Sequence, residues 1–253
     1  MSIIARFRAI EENDKAAAVR KLMQSSTPNF DFFYLVALSV AMATLGLLLD
    51  SASVVIGSML IAPLLYPILG VALGIVMSNG DVLTRSTSTL VKSLFLALGV
   101  SIVVTITMII FSEVTITHEI QLRLEPSFAY TIVALVAGAA VSFALAQPEW
   151  SETLPGIAIS VALIPPLAVV GIGIALLDIN VIRESSLLFT FNLIGITLAS
   201  LITFSLMNLY EKQNIAESTI KREKEKVQKE AEAIAEVTGE KLDNGVEKLQ
   251  NKD

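Results

Sequence analysis

The stretch Gly57-Ser58-Met59-Leu60-Ile61-Ala62-Pro63-Leu64-Leu65-Tyr66-Pro67 decides how this chain folds. It lies inside a run, residues 51 to 80, that contains no Asp, Glu, Lys, Arg or His. A helix needs about 20 apolar residues to cross the hydrocarbon layer of a bilayer, and this run exceeds that. Two prolines sit near its middle. A proline inside a helix removes its own N–H and pushes away the carbonyl four residues earlier, so Pro63 and Pro67 free the carbonyls of Met59 and Pro63. An unpaired carbonyl in hydrocarbon costs several kcal/mol, so these groups must meet protein, water or a bound cation.

Five further runs are also uncharged: 32 to 49, 93 to 112, 126 to 148, 153 to 177 and 185 to 210. All 18 basic and 24 acidic residues of the 253-residue chain fall outside the six runs. A soluble domain scatters charge over every surface helix, so that class is excluded. Transmembrane β-barrels show short segments of alternating polarity, whereas these runs are continuously apolar. The predicted fold class is therefore all-α, a polytopic membrane protein with six transmembrane helices.

Cysteine is absent and His118 is the single histidine, which removes disulfides, thiolate metal sites, cysteine nucleophiles and histidine pairs. With no ionisable residue inside any run, a carboxylate proton relay and a His- or Asp-dependent intramembrane protease are excluded. His118 with Glu113, Glu119 and Glu125 makes only a weak pattern for a divalent ion. A net charge of -6 gives no general reason to expect nucleic acid as a partner. The expectation is a protein that is not an enzyme and that carries no cofactor or metal.

Basic residues near spans stay on the cytoplasmic side. With six crossings, residues 1 to 31, the loops 81 to 92 and 149 to 152, and the tail after 210 share one side and hold 16 Lys and Arg. The opposite side holds only Arg123 and Arg183. Both termini are predicted to be cytoplasmic, in the cell membrane. The first apolar run begins too late and is too long for a cleavable signal peptide, so the first span is expected to be retained.

An offset of 99 residues aligns the chain with itself without gaps. Between 56 to 75 and 155 to 174 it matches Gly57 with Gly156, Leu64 with Leu163, Pro67 with Pro166, Val71 with Val170, Gly74 with Gly173 and Ile75 with Ile174. The same offset carries span 1 onto span 4, span 3 onto span 6 and Asp50 onto Glu149. Three crossings per unit place the second unit upside down relative to the first. An inverted 3+3 repeat is predicted, a common plan for secondary transporters. Chance likeness between two proline-bearing helices is the competing explanation.

In the second unit Pro165 and Pro166 lie at the middle of their run and free the carbonyls of Val161 and Ala162. Helices 2 and 5 are thus expected to be proline-broken and to face a shared polar cavity. The candidate substrate or ion site comprises Gly57, Ser58, Met59, Pro63, Pro67, Gly156, Ser160, Val161, Ala162, Pro165, Pro166 and Asn192, with Thr44, Ser142 and Thr190 as further polar groups in the spans. Plain packing kinks, with Ser or Thr satisfying the loose carbonyls, would account for the same prolines. Asn192 either caps a kink carbonyl or contacts a ligand. Asp50 and Glu149 are candidate gate residues, or simple helix caps beside Ser51, Ser53, Ser151 and Thr153. Gly70 with Gly74, Gly171 with Gly173, and Ala134 with Gly138 suit close helix packing.

The chain divides into a cytoplasmic segment 1–30, a first three-helix unit 31–112, an external loop 113–125, a second unit 126–210 and a charged tail 211–253. Ile3, Ile4, Phe7 and Ile10 beside Arg6 and Arg8 suit either a short amphipathic helix on the membrane surface or a frayed polar end. In the tail Ile220, Val227 and Ile234 recur every seven residues, but Lys224 interrupts the seam. A solvated single helix is the default expectation there, with self-association as the alternative.

The segments Leu49-Asp50-Ser51-Ala52, Ile61 to Gly70, Gly80-Asp81 and Arg85-Ser86 resemble the family known as domain of unknown function 389. So do Leu154-Pro155-Gly156, Ile164 to Gly171, and Phe191-Asn192-Leu193-Ile194-Gly195-Ile196. The resemblance spans roughly 30 to 210 and implies a multi-pass hydrophobic protein of prokaryotic membranes. It implies no activity. Some relatives carry a larger soluble domain before the first span, where about 30 residues stand here.

Two functions follow as expectations. One is a transporter or channel for a small solute or ion, with its site at the two proline-bearing helices and the bilayer, and a second copy of the chain, as further partners. The other is a membrane scaffold or signalling module that works through its charged tail.

Overall fold

The computed structural model describes residues 10 to 125, 127 to 147 and 154 to 250, without the side chains of 154 to 162 and 235 to 250. Among the described residues all regular structure is helical. In chain order these are α1 (Glu12–Ser25), α2 (Phe30–Leu48), α3 (Ala52–Ile61), α4 (Leu65–Val76), α5 (Gly80–Phe111) and the single turn α6 (His118–Gln121). Then follow α7 (Phe128–Leu145), α8 (Leu154–Leu176), α9 (Ile179–Leu206), a 3-10 turn over Leu209–Lys212 and α10 (Gln213–Gln250).

Four of these, α2, α5, α7 and α9, are long and apolar enough to cross a membrane, and α3 with α4 makes a fifth candidate span bent by 52°. The helix of that pair stops at Ile61 and resumes at Leu65, with Pro63 in the gap. Pro67 lies one turn into α4, where a missing N–H has no carbonyl partner to lose.

The second proline pair behaves differently from the sequence expectation. Helix α8 is continuous over 23 residues with Pro165 and Pro166 inside it. Proline's fixed φ is helical, so a helix can continue through it with the bond to the carbonyl four residues earlier missing. Helices α2, α5 and α9 all pack against α8 and hold it.

The bend has a consequence for packing. Val55, Met59, Ala62 and Leu64 belong to a buried cluster with α2, α8 and Ile120 of α6. Leu65, Ile68, Leu69, Ala72 and Leu73 belong to another, with α1, α7, the end of α9 and the start of α10. One bent segment therefore contributes to two cores, and the boundary falls between Leu64 and Leu65.

The turn between α4 and α5 recurs, residue for residue, between α8 and α9. Ser78 has φ 49° and Leu177 φ 57°. Asn79 N–H donates to Gly74 O at 3.0 Å, and Asp178 N–H donates to Gly173 O at 3.0 Å. The Asn79 side chain accepts from Val82 N–H and that of Asp178 from Val181 N–H, at 3.0 and 3.2 Å. All four pairs are separated by 99 positions. Gly74 and Gly173 are needed for close approach: a Cβ on either would come within 2.7 Å of Leu83 N or 3.0 Å of Ile182 N.

Two elements were not foreseen. Helix α1 forms over residues read as a polar terminal segment, and it buries Ala16, Ala18, Val19, Leu22 and Met23. The residues Ile3, Ile4 and Phe7 of the expected amphipathic helix lie outside the described residues. Helix α5 begins well before its uncharged run, capped by Asn79, because its first turns pack on α4 and α10. The root of α10 is correspondingly docked: Ala216, Thr219 and Ile220 are buried, which corrects the expectation of a solvated helix from its first turn.

Candidate functional site

Where α3 ends, its last carbonyls lose the N–H groups of a following turn. Ser58 is fully buried there. Its hydroxyl donates to Val55 O at 2.6 Å, and its own carbonyl accepts from the Ser39 hydroxyl of α2 at 2.7 Å. Met59 is buried beside it, and Gly57 faces Met42, whose methyl would lie 3.0 Å from an added Cβ. A hydroxyl on a neighbouring helix thus satisfies a carbonyl at the end of α3, one residue before the Met59 carbonyl that Pro63 is expected to free.

A second set of polar contacts joins three helices. Thr44 of α2 donates to Val40 O at 2.8 Å and lies 3.1 Å from the Ser101 hydroxyl of α5. Ser101 donates to Ala168 O of α8 at 2.8 Å. These contacts sit one turn past Pro165 and Pro166. Ile164, Leu167 and Ala168 share one core with Met59, Ala62 and Leu64. The proline-bearing parts of α3–α4 and α8 are therefore brought together. Neither Ser39 nor Ser101 is conspicuous in the sequence, because a serine in an apolar run looks the same whether it faces a carbonyl or lipid.

Asn192 is buried on α9, which packs on both α4 and α8. The Ser142 hydroxyl on α7 is buried without a hydrogen-bond partner among the described residues. Thr190 is turned back onto Ser186 O at 2.8 Å. Gly156, Ser160, Val161 and Ala162 form part of helix α8, and their side chains lie outside the described residues, as does Glu149 entirely.

Asp50 is engaged at the opposite end of α3. It adopts φ 53°, and its Oδ1 accepts from Glu119 N–H at 2.8 Å. Thr117 donates to Leu47 O at 2.6 Å beside it, and Arg123 pairs with Glu119 at 2.5 Å. The Asp50 carboxylate thus fastens the loop carrying α6 to the α2–α3 turn. Among the described residues no group of three His, Asp or Glu side chains is placed to hold a metal ion.

At the other end of the bundle the charged residues tie termini together. Glu12 of α1 bonds Lys15 at 2.8 Å and also pairs with Lys212. These two lysines, Lys15 first, hold the Glu12 carboxyl down at about 2. Asn79 Nδ2 donates to Glu217 Oε1 at 2.7 Å, while Arg85 donates to Ile220 O at 3.3 Å and to the Thr27 hydroxyl at 2.9 Å.

Several apolar helices of spanning length, joined by buried hydroxyl-to-carbonyl bonds, make this a multi-helix protein of the membrane class. The family described as Domain of unknown function (DUF389) matches residues 59–198, more than half of the chain, and the chain belongs to it. It is also similar to an uncharacterised protein of Methanocaldococcus jannaschii, 31% identical over 168 residues. That alignment covers 66% of this chain and 51% of the relative, so the chain spans about half the length of the curated relative it matches. No solved structure matches the chain.

Proposed function

We propose that the protein is a transporter or channel for a small solute or ion in the cell membrane, with its site where the α3–α4 bend meets the proline-bearing part of α8. The observation that carries this reading is the interrupted helix at Pro63, packed against the stretch around Pro165 and Pro166. Discontinuous helices near the middle of the bilayer expose backbone carbonyls and N–H groups that bind ions and small polar solutes. With no charged side chain inside the six apolar runs, the groups on offer there are carbonyls, hydroxyls and the Asn192 amide. The reading assigns no reaction to the chain and makes it no enzyme.

In this reading α8 is a sixth span and the helices form an inverted repeat, α2 to α5 against α7 to α9, with both termini cytoplasmic. Support comes from the two turns that share their hydrogen bonds at an offset of 99 residues. Bilayer lipid and a second copy of the chain are the further partners it proposes.

The test uses the absence of native cysteine. Ser58→Cys, Ser160→Cys and Asn192→Cys, each alone, are probed with membrane-impermeant thiol reagents, and reconstituted vesicles are assayed with a panel of ions and neutral solutes. Reagent access at the bend with solute flux supports transport; protection of all three positions under every condition removes it. A second reading, a scaffold or signalling module, draws on α10: its 38 residues extend far beyond the buried positions Ala216, Thr219 and Ile220. A tail deletion that abolishes the biological effect while leaving flux untouched favours that reading.

A further inference from the structure

The two repeated turns differ at one atom that the repeat itself does not require. At position 178 an aspartate caps α9, and a carboxylate oxygen is sufficient for that purpose. At position 79 the cap is an asparagine, whose Oδ1 accepts from Val82 N–H while its Nδ2 donates to Glu217. Two turns later Arg85 donates to Ile220 O, where the matching position in the other unit is Glu184. The first unit's turn thus carries two donors aimed at the root of α10, and the second unit's turn carries none at these positions.

Helix α10 packs chiefly on α1, and α1 packs on α4, one side of the bend. Ala216 and Ile220 share a core with Leu65, Ile68, Leu69, Ala72 and Leu73 of α4, and Ala18, Val19 and Leu22 of α1 belong to it as well. The other half of the segment, α3, belongs to the core that lacks α10. Asn79 is also bonded through its backbone N–H to Gly74 O of α4, so the residue that grips the tail is fixed to the half-helix beyond the bend.

We propose that the root of α10 is a releasable strap, latched by Asn79 to Glu217 and Arg85 to Ile220 O, that sets the position of α4 relative to α3 about the Ala62–Leu64 hinge. Whatever engages the protruding part of α10 would then act on the bend by opening or closing the latch. This goes beyond the transport reading and does not require it, since a hinge under tail control is defined by geometry alone.

The experiment exchanges the two partners' chemistry. Asn79→Asp keeps the cap, as Asp178 demonstrates, but sets a carboxylate against Glu217; adding Glu217→Gln restores a donor and acceptor with their roles reversed. Amide hydrogen exchange is followed in the full chain in lipid nanodiscs, over residues 213 to 222 and over 64 to 70. In Asn79→Asp both segments are expected to exchange at least about tenfold faster, the scale of one lost hydrogen bond to a charged group. Glu217→Ala, which leaves the turn untouched, is expected to do the same, and the double variant to return both segments to the parental rate.

Faster exchange at 213 to 222 with none at 64 to 70 would make the tail a passive anchor and overturn the strap. Unchanged exchange in both single variants, or a double variant no better than Asn79→Asp alone, would overturn the latch. None of these readouts depends on whether any solute crosses the membrane, so a negative result here is separate from a negative transport assay.

Discussion

Ser39 on α2 gives its hydroxyl proton to the carbonyl of Ser58 on α3, 19 residues later, at the turn before the helix breaks. Both residues are fully buried. The bond satisfies a carbonyl left over where α3 ends, and it makes α2 a splint for the end of that helix. Ser39→Ala is expected to leave that carbonyl short of a partner and lower stability by about 1 to 3 kcal/mol. Thermal unfolding in detergent measures it, and an unchanged midpoint would show the carbonyl to be satisfied without Ser39.

Gly74→Ala and Gly173→Ala should both be damaging, since each new Cβ would press on backbone of the next helix at 2.7 and 3.0 Å. Overpacking of this kind costs about 1 to 3 kcal/mol. Gly80→Ala and Gly99→Ala, which have nothing within 4 Å, are the controls. They are expected to be neutral or to gain up to about 1 kcal/mol from helix propensity. Equal losses at all four positions in a thermal melt would contradict the packing at these turns.

Leu177 sits in the left-handed region at φ 57° with its side chain 85% exposed. A branched residue there carries backbone strain of about 1 to 2 kcal/mol, and glycine does not. Leu177→Gly should therefore raise the melting midpoint of the protein, while Gly173→Ala, about one turn earlier, lowers it. A fall in Leu177→Gly would mean that the exposed leucine is covered by something the chain itself does not supply.

Glu12 gives a prediction with a sign. Its carboxyl lies at about 2 in the folded protein against 4.5 as the ordinary value, so its contacts with Lys15 and Lys212 favour the folded state above pH 4.5. That contribution fades as pH falls from 4.5 toward 2. Hydrogen exchange across α1 should accelerate over this window in the parent and be flat in Glu12→Gln, which has no charge to lose. An identical acid profile in the two proteins would place the titrating group elsewhere. Salt is expected to weaken the effect, because the side chain is largely open to solvent.

Much of this architecture is legible because lipid punishes what water forgives. An uncharged run of spanning length reads as a helix without reference to its neighbours, and Pro63 marks its interruption by chemistry alone. The start of α5 is not legible in this way, because Asp81, Arg85 and Lys92 make its first turns look like a polar loop. Neither is the proline pair in α8, because whether a helix breaks or continues at proline depends on the helices that hold it. Nor could the docking of α1 and α10 be read, since Lys-rich and Glu-rich segments look solvated until a partner appears. At the candidate site the sequence names Ser58 and misses Ser39, since that contact joins different helices. Asp50 shows the reverse case, a residue noticed for its charge whose carboxylate is committed to the backbone N–H of Glu119.

The bend at Pro63 also divides the molecule in a second sense. The two buried clusters part between Leu64 and Leu65, while α5, α8 and α9 contribute to both and Leu94 and Phe189 pack against each. Helices shared between clusters couple their opening, whereas an element confined to one cluster can open by itself. Helices α1 and α10 belong to one cluster alone, so heat or force applied to the tail should free them first, ahead of the helices that run through both cores.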